Sequence, residues 1–248
     1  MTGLVRSEWL KVRSTRMWWG LVGGALAFIA LNVVAQAFVP ATEGVPGLKD
    51  PAGVRSVWSS AGQTSLFALV LGIIGMTAEY RHRTVSATFL ATPLRGRVLA
   101  AKMAAHAGLG LVLGLVACAL TAALAVPLLA MRDAVSIPTS TIVQILGGAV
   151  LACVLYAVIG VAVGALVTNQ IAAILGAVIW VILVESLLVT FLPEVGRWLP
   201  GGAANAVLQA SSLRGDLLEP WAGALLLLGY ATVFAVVATQ TTLRRDVS

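Results

Sequence analysis

The chain has 248 residues, of which 59% are hydrophobic and only 10% are charged; its net charge is +6 and its mean hydropathy is +0.97. Soluble domains carry about 25% charged residues, so this composition excludes an ordinary soluble domain and indicates that the solvent is lipid. The positive charge does not indicate nucleic-acid binding, because lysine and arginine are spread over the edges of the apolar segments and form no single basic surface.

Six apolar segments are long enough to cross a membrane, which requires about 20 residues in a helix. They cover about 17–39, 57–78, 104–131, 141–167, 171–192 and 221–240. The alternation over about 10 residues that is typical of barrel strands does not occur. The sequence therefore predicts an all-α integral membrane protein with six transmembrane helices, forming one transmembrane domain over residues 1–248.

The distribution of lysine and arginine predicts the orientation of this domain. Eleven of these residues precede the first segment, lie between the second and third, or follow the sixth: Arg6, Lys11, Arg13, Arg16, Arg81, Arg83, Arg95, Arg97, Lys102, Arg244 and Arg245. Five belong to the other side: Lys49, Arg55, Arg132, Arg197 and Arg214. Both termini and residues 79–103 are therefore predicted to be cytoplasmic, in a multi-pass protein of the cell (cytoplasmic) membrane.

The N-terminal region has two interpretations. A basic leader, an apolar run and the small residues around Gln36 resemble a secretory signal. The run from Met17 to Ala37 is longer than the usual apolar region of about 7–15 residues, and its removal would leave a basic connection on the wrong side. We therefore predict a retained first span, preceded by a cytoplasmic interfacial helix over residues 1–16.

The motifs of common enzymes do not occur in the sequence. A phosphate-binding Walker loop requires Gly-Lys followed by Ser or Thr, and none of Lys11, Lys49 and Lys102 follows a glycine. Neither H-E-x-x-H nor G-x-S-x-G occurs. Cys118 and Cys153 fall in separate spans, where buried free thiols are expected. We predict that the chain is not an enzyme and has no catalytic residue, bound cofactor or metal.

Two features toward the C-terminus have open interpretations. Glu185 lies alone in the fifth segment, where an ionised carboxylate costs a few kcal/mol; it either lines a transport path or gate, or makes a structural hydrogen bond, for example with Ser186. Residues 193–220 form the longest external connection and contain three prolines. They either re-enter the outer leaflet or form a surface loop with a short helix.

Residues 79–97 read EYRHRTVSATFLATPLRGR and concentrate charge in a chain that has little of it. A short helix beginning near Thr84 would end at Pro93 and carry Phe89 between flanking arginines. Glu79 opposes the dipole at the end of the second span, so it is expected to pair with a neighbouring arginine or to belong to a helix that continues past the membrane. A helix that docks another protein explains these features better than a lipid anchor does.

The whole chain resembles the permease subunits of type-2 ATP-binding-cassette (ABC) exporters in their short six-span form. The resemblance is carried by RSEWLKVRSTRMWW, EYRHRTVSATFLATPLRGRVLAAK and RWLPGGAANAVLQ. In the second of these, the family pattern of Glu-x-Arg, Thr, and Pro followed by basic residues matches Glu79, Arg81, Thr84, Pro93, Arg95, Arg97 and Lys102. Family members often have glycine before the threonine, where this chain has Arg83.

The resemblance implies an ATP-driven exporter of an unidentified, hydrophobic or amphiphilic substrate. It implies two permease copies, as a homodimer or heterodimer, bound to two copies of a separate cytoplasmic ATPase. It also implies a coupling helix within residues 79–103 that sits in a cleft of the ATPase, and short re-entrant helices near an outer gate within residues 193–220. The predicted ATPase-coupling residues are Glu79, Tyr80, Arg81, Thr84, Phe89, Pro93, Arg95 and Arg97.

Other functions stay open beside this resemblance. A self-contained channel or secondary transporter would use Glu185 as an ion or proton site, and a membrane scaffold or sensor would not transport at all. Membrane lipid is the remaining expected partner, and no nucleic acid is expected.

Overall fold

The computed structural model describes residues 2–14, 16–38, 46–82, 95–210 and 217–244. Within these ranges the chain forms eleven α-helices, one 3₁₀ segment and one π-helical segment, and no strand. The helices are α1 (Thr2–Ser14), α2 (Arg16–Phe38), α3 (Pro51–Ser59), α4 (Thr64–Arg81), α5 (Arg95–Met131), α6 (Thr139–Leu166), α7 (Gln170–Ile179), α8 (Glu185–Phe191), α9 (Pro193–Gly196), α10 (Pro200–Val207) and α11 (Pro220–Arg244). The 3₁₀ segment Ser60–Gln63 joins α3 to α4, and the π segment Trp180–Val184 joins α7 to α8.

Six helical stretches are long and apolar enough to span a membrane, which confirms the predicted fold class. Spans 1 to 6 are Met17–Phe38, Pro51–Arg81, Gly96–Met131, Thr139–Leu166, Gln170–Phe191 and Pro220–Thr242. Spans 2 and 3 are longer than the apolar segments 57–78 and 104–131. Span 3 has 36 residues, which is about 54 Å of helix against a hydrocarbon core of about 30 Å. Both helices therefore extend beyond the hydrocarbon region.

Span 4 forms the centre of the bundle and packs closely against span 2. A Cβ atom added at Gly160 would overlap the carbonyl of Leu69, and one added at Gly72 would overlap the carbonyl of Ala157. Small residues allow helix backbones to approach closely, which is a principal source of packing energy between helices in lipid. Span 5, in contrast, is the least enclosed of the six.

Different segments of the chain contact each other at the two ends of the helix bundle. At one end, Gly96 of α5 lies beside Thr239 of span 6, and Arg81 lies within 3.4 Å of the Gln170 side chain at the start of span 5. We call this the basic end. At the opposite end, the backbone N–H of Val135 donates to the carbonyl of Leu48 over 2.9 Å.

Helix α1 also lies at the basic end, against the first turns of span 3. The Trp9 indole packs so closely on α5 that a Cβ atom at Gly108 would be 3.1 Å from the ring. An isolated helix of 13 residues is marginal in water, so α1 depends on this contact and on its charged partners.

Candidate functional site

Four charged side chains from three separate helices form a closed cluster at the basic end. Lys11 Nζ lies 2.7 Å from Glu8 Oε1 and 2.8 Å from Glu79 Oε1. Lys102 Nζ lies 2.5 Å from Glu8 Oε2 and 3.1 Å from Glu79 Oε1. Each ammonium group thus bridges both carboxylates. We call these four side chains the charge ring; it joins α1 to the end of span 2 and the start of span 3.

Three members of the charge ring are buried. Lys102 is 1% exposed, and Glu8 and Glu79 are each 6% exposed, whereas half of the Lys11 side chain is accessible. The Lys102 ammonium also donates to the Gly75 carbonyl over 3.1 Å, so its three hydrogens all have acceptors. Removing one partner of a buried ion pair leaves an uncompensated charge and costs about 3–5 kcal/mol. The charge ring therefore strongly favours one position and rotation of α1 against spans 2 and 3.

The pKa values of the two ring members on α1 respond to this environment. Burial acts to raise the pKa of Glu8, but the charge of Lys102 and hydrogen bonds from both lysines outweigh it, and the pKa is lowered. Burial acts to lower the pKa of Lys11, but its hydrogen bonds to Glu79 and Glu8 outweigh that effect, and the pKa is raised. Both groups are therefore held in their charged forms.

His106 lies one helical turn beyond Lys102 and completes the buried polar cluster. Its Nδ1–H donates to the Lys102 carbonyl over 2.9 Å. The imidazole ring of His106 lies directly over Gly75, where an added Cβ atom would overlap its Nε2 atom. His106 is fully buried, and in the part of the chain that the structure describes no group bonds its Nε2. Gly75 thus supplies both the space for His106 and an acceptor for Lys102.

The predicted ATPase-coupling residues fall into two groups. Glu79 is buried in the charge ring, Tyr80 is half-buried beside the apolar cluster of Met76 and Leu99, and Arg81 is exposed. Helix α5 begins at Arg95. Arg97 is exposed and precedes Lys102, the member of the charge ring on this helix. Thr84, Phe89 and Pro93, with the rest of the predicted coupling helix, lie outside the described residues.

The sequence motifs do not predict Glu8, Lys11 or His106 as site residues, although each of them carries a local signal. Glu8 is the only acidic residue of α1 and stands three residues before Lys11, which is a favourable helical spacing for a pair. Lys102 and His106 are four apart on a mostly apolar helix. The expected continuation of the second span past its apolar stretch is observed, and the described partners of Glu79 are lysines from other helices.

A third buried carboxylate lies toward the opposite end, where Glu185 joins span 5 to α10. Its Oε1 accepts from the Trp180 indole N–H over 2.7 Å, and its Oε2 accepts from the Gly201 backbone N–H over 2.6 Å. Glu185 is 3% exposed. A carboxylate at the first turn of a helix satisfies an unpaired backbone N–H and the positive end of the helix dipole. We call these three groups the glutamate clasp.

The backbone on the Glu185 side and on the Gly201 side restricts which residues can form the glutamate clasp. The π segment precedes Glu185 directly, and such widened turns displace the following side chains relative to a regular α-helix. A Cβ atom at Gly201 would overlap Oε2 of Glu185, so the carboxylate can approach only a glycine. The suggested partner Ser186 makes a different contact, since its carbonyl accepts from Thr190 Oγ1 over 2.7 Å.

Helix α10 packs into the bundle beside the glutamate clasp. A Cβ atom at Gly223 of span 6 would lie 2.7 Å from the Ala203 carbonyl, and one at Gly148 of span 4 would overlap the Val207 carbonyl. The described part of the connection between spans 5 and 6 thus contains two short helices, α9 and α10, of which α10 is largely buried. Re-entry of this connection into the outer leaflet stays a prediction.

Six membrane-capable helices, with a buried charge ring that attaches α1 to spans 2 and 3 and a glutamate clasp that attaches span 5 to α10, define a polytopic α-helical membrane protein. Residues 4–184 match the family described as ABC-2 family transporter protein. The chain belongs to this family and is a multi-pass membrane permease of it. No curated protein matches the chain. The matched range contains the whole charge ring and ends one residue before Glu185.

Membership of this family confirms the resemblance and implies association with an ABC ATPase on a separate chain. The part of the chain that carries the charge ring thus lies within the family match, whereas α10 and span 6 lie outside it.

Proposed function

We propose that this protein is the permease of an ATP-driven exporter that moves a hydrophobic or amphiphilic substrate across the cytoplasmic membrane. A separate cytoplasmic ATPase supplies the energy. The observation that carries this proposal is the charge ring, which lies within the range matched to the ABC-2 transporter family and brackets residues 83–94.

The charge ring supports coupling through residues 83–94 because it anchors both sides of that segment. Glu79 stands in the last turn of α4, before the segment, and Lys102 stands in the second turn of α5, after it. Glu8 ties α1 to the same point. A force applied to residues 83–94 therefore reaches spans 2 and 3 and α1 together. Glu79 and Lys102 act in this scheme as positioning residues for the coupling segment.

The proposed assembly contains two permease copies, as a homodimer or heterodimer, and two copies of the ATPase, surrounded by membrane lipid. The basic end faces the cytoplasm, because it carries the larger share of lysine and arginine. The glutamate clasp then lies at the external side, near the outer gate.

The alternative function, a self-contained channel or secondary transporter, would make Glu185 an ion or proton site. Both carboxylate oxygens of Glu185 already accept hydrogen bonds, from Trp180 and Gly201, which favours a structural role. A Glu185→Gln variant whose transport has the same pH profile as wild type would exclude a proton site. A lost pH dependence with intact folding would support the alternative.

The coupling proposal is tested by purifying the permease with its ABC ATPase and measuring ATP turnover in proteoliposomes. We expect Phe89→Asp to reduce both co-purification and permease-dependent stimulation of turnover, because it places a charge at the centre of the predicted docking helix. Phe191→Asp is the matched control, since Phe191 is exposed at the opposite end. Equal binding and stimulation in wild type and Phe89→Asp would contradict the coupling assignment.

The direction of transport is tested in inside-out vesicles, where the ATPase is accessible to added ATP. Substrate accumulation inside these vesicles on addition of ATP is the expected result for an exporter. Release of preloaded substrate under the same conditions would indicate import.

A further inference from the structure

Helices α8, α9 and α10 form one compact unit. Backbone hydrogen bonds continue from the end of α8 through α9 to the start of α10. A Cβ atom at Gly196 of α9 would overlap the backbone of Val189 in α8, and one at Gly202 of α10 would overlap the Gly196 carbonyl. The glutamate clasp adds a bond from Glu185 of α8 to the backbone of α10. We call residues 185–207 the cap, and we expect it to move as one body because its helices are in backbone contact.

The cap is attached less firmly to the rest of the bundle. Two carbonyls of α10 pack on Gly148 of span 4 and Gly223 of span 6. The Tyr230 hydroxyl of span 6 donates to the Trp198 carbonyl of the cap over 3.0 Å. Moving the cap away from these two spans would break that hydrogen bond, whereas taking the cap apart would break a continuous series of them. Separation of the whole cap is therefore easier than its unfolding.

The π segment Trp180–Val184 connects the cap to α7. The Glu185 N–H donates to the Trp180 carbonyl, five residues earlier, whereas an α-helix bonds residues four apart. None of the five residues in the segment is buried, so packing does little to fix its backbone. Helices bend where their regular hydrogen-bond pattern is interrupted in this way. The π segment is therefore the point at which the cap can tilt relative to α7.

A side-chain hydrogen bond spans the π segment and opposes such a tilt. Trp180 Nε1–H donates to Glu185 Oε1 over 2.7 Å. Residues five apart in an α-helix lie about 140° apart around the axis, which would direct these two side chains to different sides. The π turn brings them together, so the bond depends on the π register. It ties the first residue of the π segment to the first residue of the cap.

We propose that the π segment is a hinge and that Trp180 is a positioning residue, which holds the cap closed against spans 4 and 6 through Glu185. The cap tilts about this hinge to open the permease at the end opposite the basic end. Opening during transport rests on the proposed export function, whereas the hinge itself does not.

Attachment of the cap does not by itself require a π turn. With one residue fewer between them, Trp180 and Glu185 would stand four apart on a continuous α-helix, where their side chains share a face. The same hydrogen bond and the same glutamate clasp could then form on a regular helix. What the additional residue contributes is a backbone that can bend, and single π turns within α-helices are frequent at functional sites.

The hinge is tested in the purified full-length permease in phosphatidylcholine nanodiscs, without any ATPase. Double electron–electron resonance measures the distance between spin labels at Asn205→Cys in α10 and Ile171→Cys in α7, both exposed positions, in a background without native cysteines. We expect Trp180→Phe, which keeps an aromatic ring but removes the indole N–H, to broaden this distance distribution. Labels at Ile171→Cys and Val143→Cys, which lie outside the cap, should keep the wild-type distribution in the same variant.

Trp221→Phe is the matched control, because Trp221 is exposed at the start of span 6 and its replacement should leave both distributions unchanged. An unchanged distance distribution between positions 205 and 171 in Trp180→Phe would overturn the proposal. Equal broadening of both pairs would indicate a general loss of the fold instead of release of the cap, and would contradict the hinge as well.

Deletion of Ile182 removes the proposed hinge, because it shortens the π segment to α-helical length and keeps the orientation of the cap. Ile182→Ala is the matched control, since the same exposed side chain is reduced while the length of the backbone is kept. In complex with the partner ATPase, the distribution between positions 205 and 171 should shift on addition of ATP and vanadate in wild type and in Ile182→Ala. In the deletion variant it should be the same with and without nucleotide, although ATP turnover is still stimulated.

These measurements separate the hinge from the export function. A shift in the deletion variant equal to that in wild type, or no shift in wild type despite stimulated ATP turnover, would overturn the proposal. Absence of permease-dependent ATP turnover would contradict the proposed function, and the measurement without ATPase would still decide the hinge. If elution volume and helicity show that deletion of Ile182 prevents folding, Trp180→Phe decides the hinge in the same way.

Discussion

Lys102 Nζ and Glu8 Oε2 lie 2.5 Å apart, although 94 residues separate them in the sequence. Both side chains are buried, so the contact is shielded from the salt that weakens exposed ion pairs. It attaches the N-terminal helix to span 3 at a defined position. A helix bound only by lipid headgroups would have no such fixed rotation, and the charge ring therefore makes α1 part of the permease fold.

Substitution of Lys102 should destabilise the permease more than loss of any single surface charge. In Lys102→Met, the buried carboxylates of Glu8 and Glu79 both lose the ammonium group that lies between them, while Lys11 still pairs with both. We expect a loss of about 3–5 kcal/mol, measured as a lower midpoint of thermal unfolding in detergent. Lys49→Met is the control, because Lys49 is exposed at the opposite end.

A double-mutant cycle separates the ion pair from simple loss of packing. The combined variant Glu8→Gln/Lys102→Met removes one charge of each sign, so its cost should be smaller than the sum of the two single costs. Strict additivity would indicate that Glu8 and Lys102 do not interact in the folded protein.

Attachment of α1 should depend on pH at both extremes. The lowered pKa of Glu8 means that its contribution is fully present above the ordinary glutamate value of about 4.3 and is lost as the pH falls through the lowered pKa. The raised pKa of Lys11 means that its contribution is fully present below about 10.4 and is lost as the pH rises through the raised pKa. A spin label at Ser7→Cys, an exposed position, should be least mobile between these values.

A separate variant serves as the control for the change in spin-label mobility at acidic pH. Glu8→Gln removes the titrating carboxyl on α1, so label mobility should be higher at neutral pH and should change less on acidification. A profile identical to wild type would show that the carboxyl of Glu8 does not hold α1.

Gly75 should not tolerate alanine. An added methyl group would overlap His106, which is fully buried, and overpacking in a closed interior costs about 1–3 kcal/mol. We expect Gly75→Ala to lower the unfolding midpoint and His106→Ala in the same chain to restore part of the loss. Gly147→Ala is the control, because no atom lies within 4 Å of its added Cβ; it should be neutral or stabilising.

The six-span fold could be predicted because an apolar run long enough to cross the hydrocarbon core as a helix is visible directly in the sequence. The ends of spans 2 and 3 could not be predicted in this way. Residues around Arg55 and Arg97 are helical although they are polar, since hydropathy measures transfer into lipid and helices continue into the headgroup region. The π segment before Glu185 also leaves no trace in an apolar sequence, because its residues are ordinary helix formers.

The candidate site could be predicted only as separate pieces. Glu79 stands out in the sequence because a carboxylate at a helix C-terminus opposes the dipole. Its partners Lys11 and Lys102 come from different helices, and their approach depends on how α1 is rotated about its axis when Trp9 packs on Gly108. Such contacts between distant segments are set by tertiary packing, which spacing along the sequence does not contain.

Glu185 should hold α10 in place through both of its oxygens. Glu185→Ala leaves the Trp180 indole N–H and the Gly201 N–H without their acceptor, and each such loss costs about 1–3 kcal/mol. We expect a spin label at the exposed position Asn205→Cys to become more mobile in Glu185→Ala, and less so in Glu185→Gln, which keeps an acceptor oxygen. Glu194→Ala is the control: its ion pair with Arg197 is largely exposed and contributes at most about 1 kcal/mol. An unchanged spectrum in Glu185→Ala would show that α10 is held by its packing on spans 4 and 6 alone.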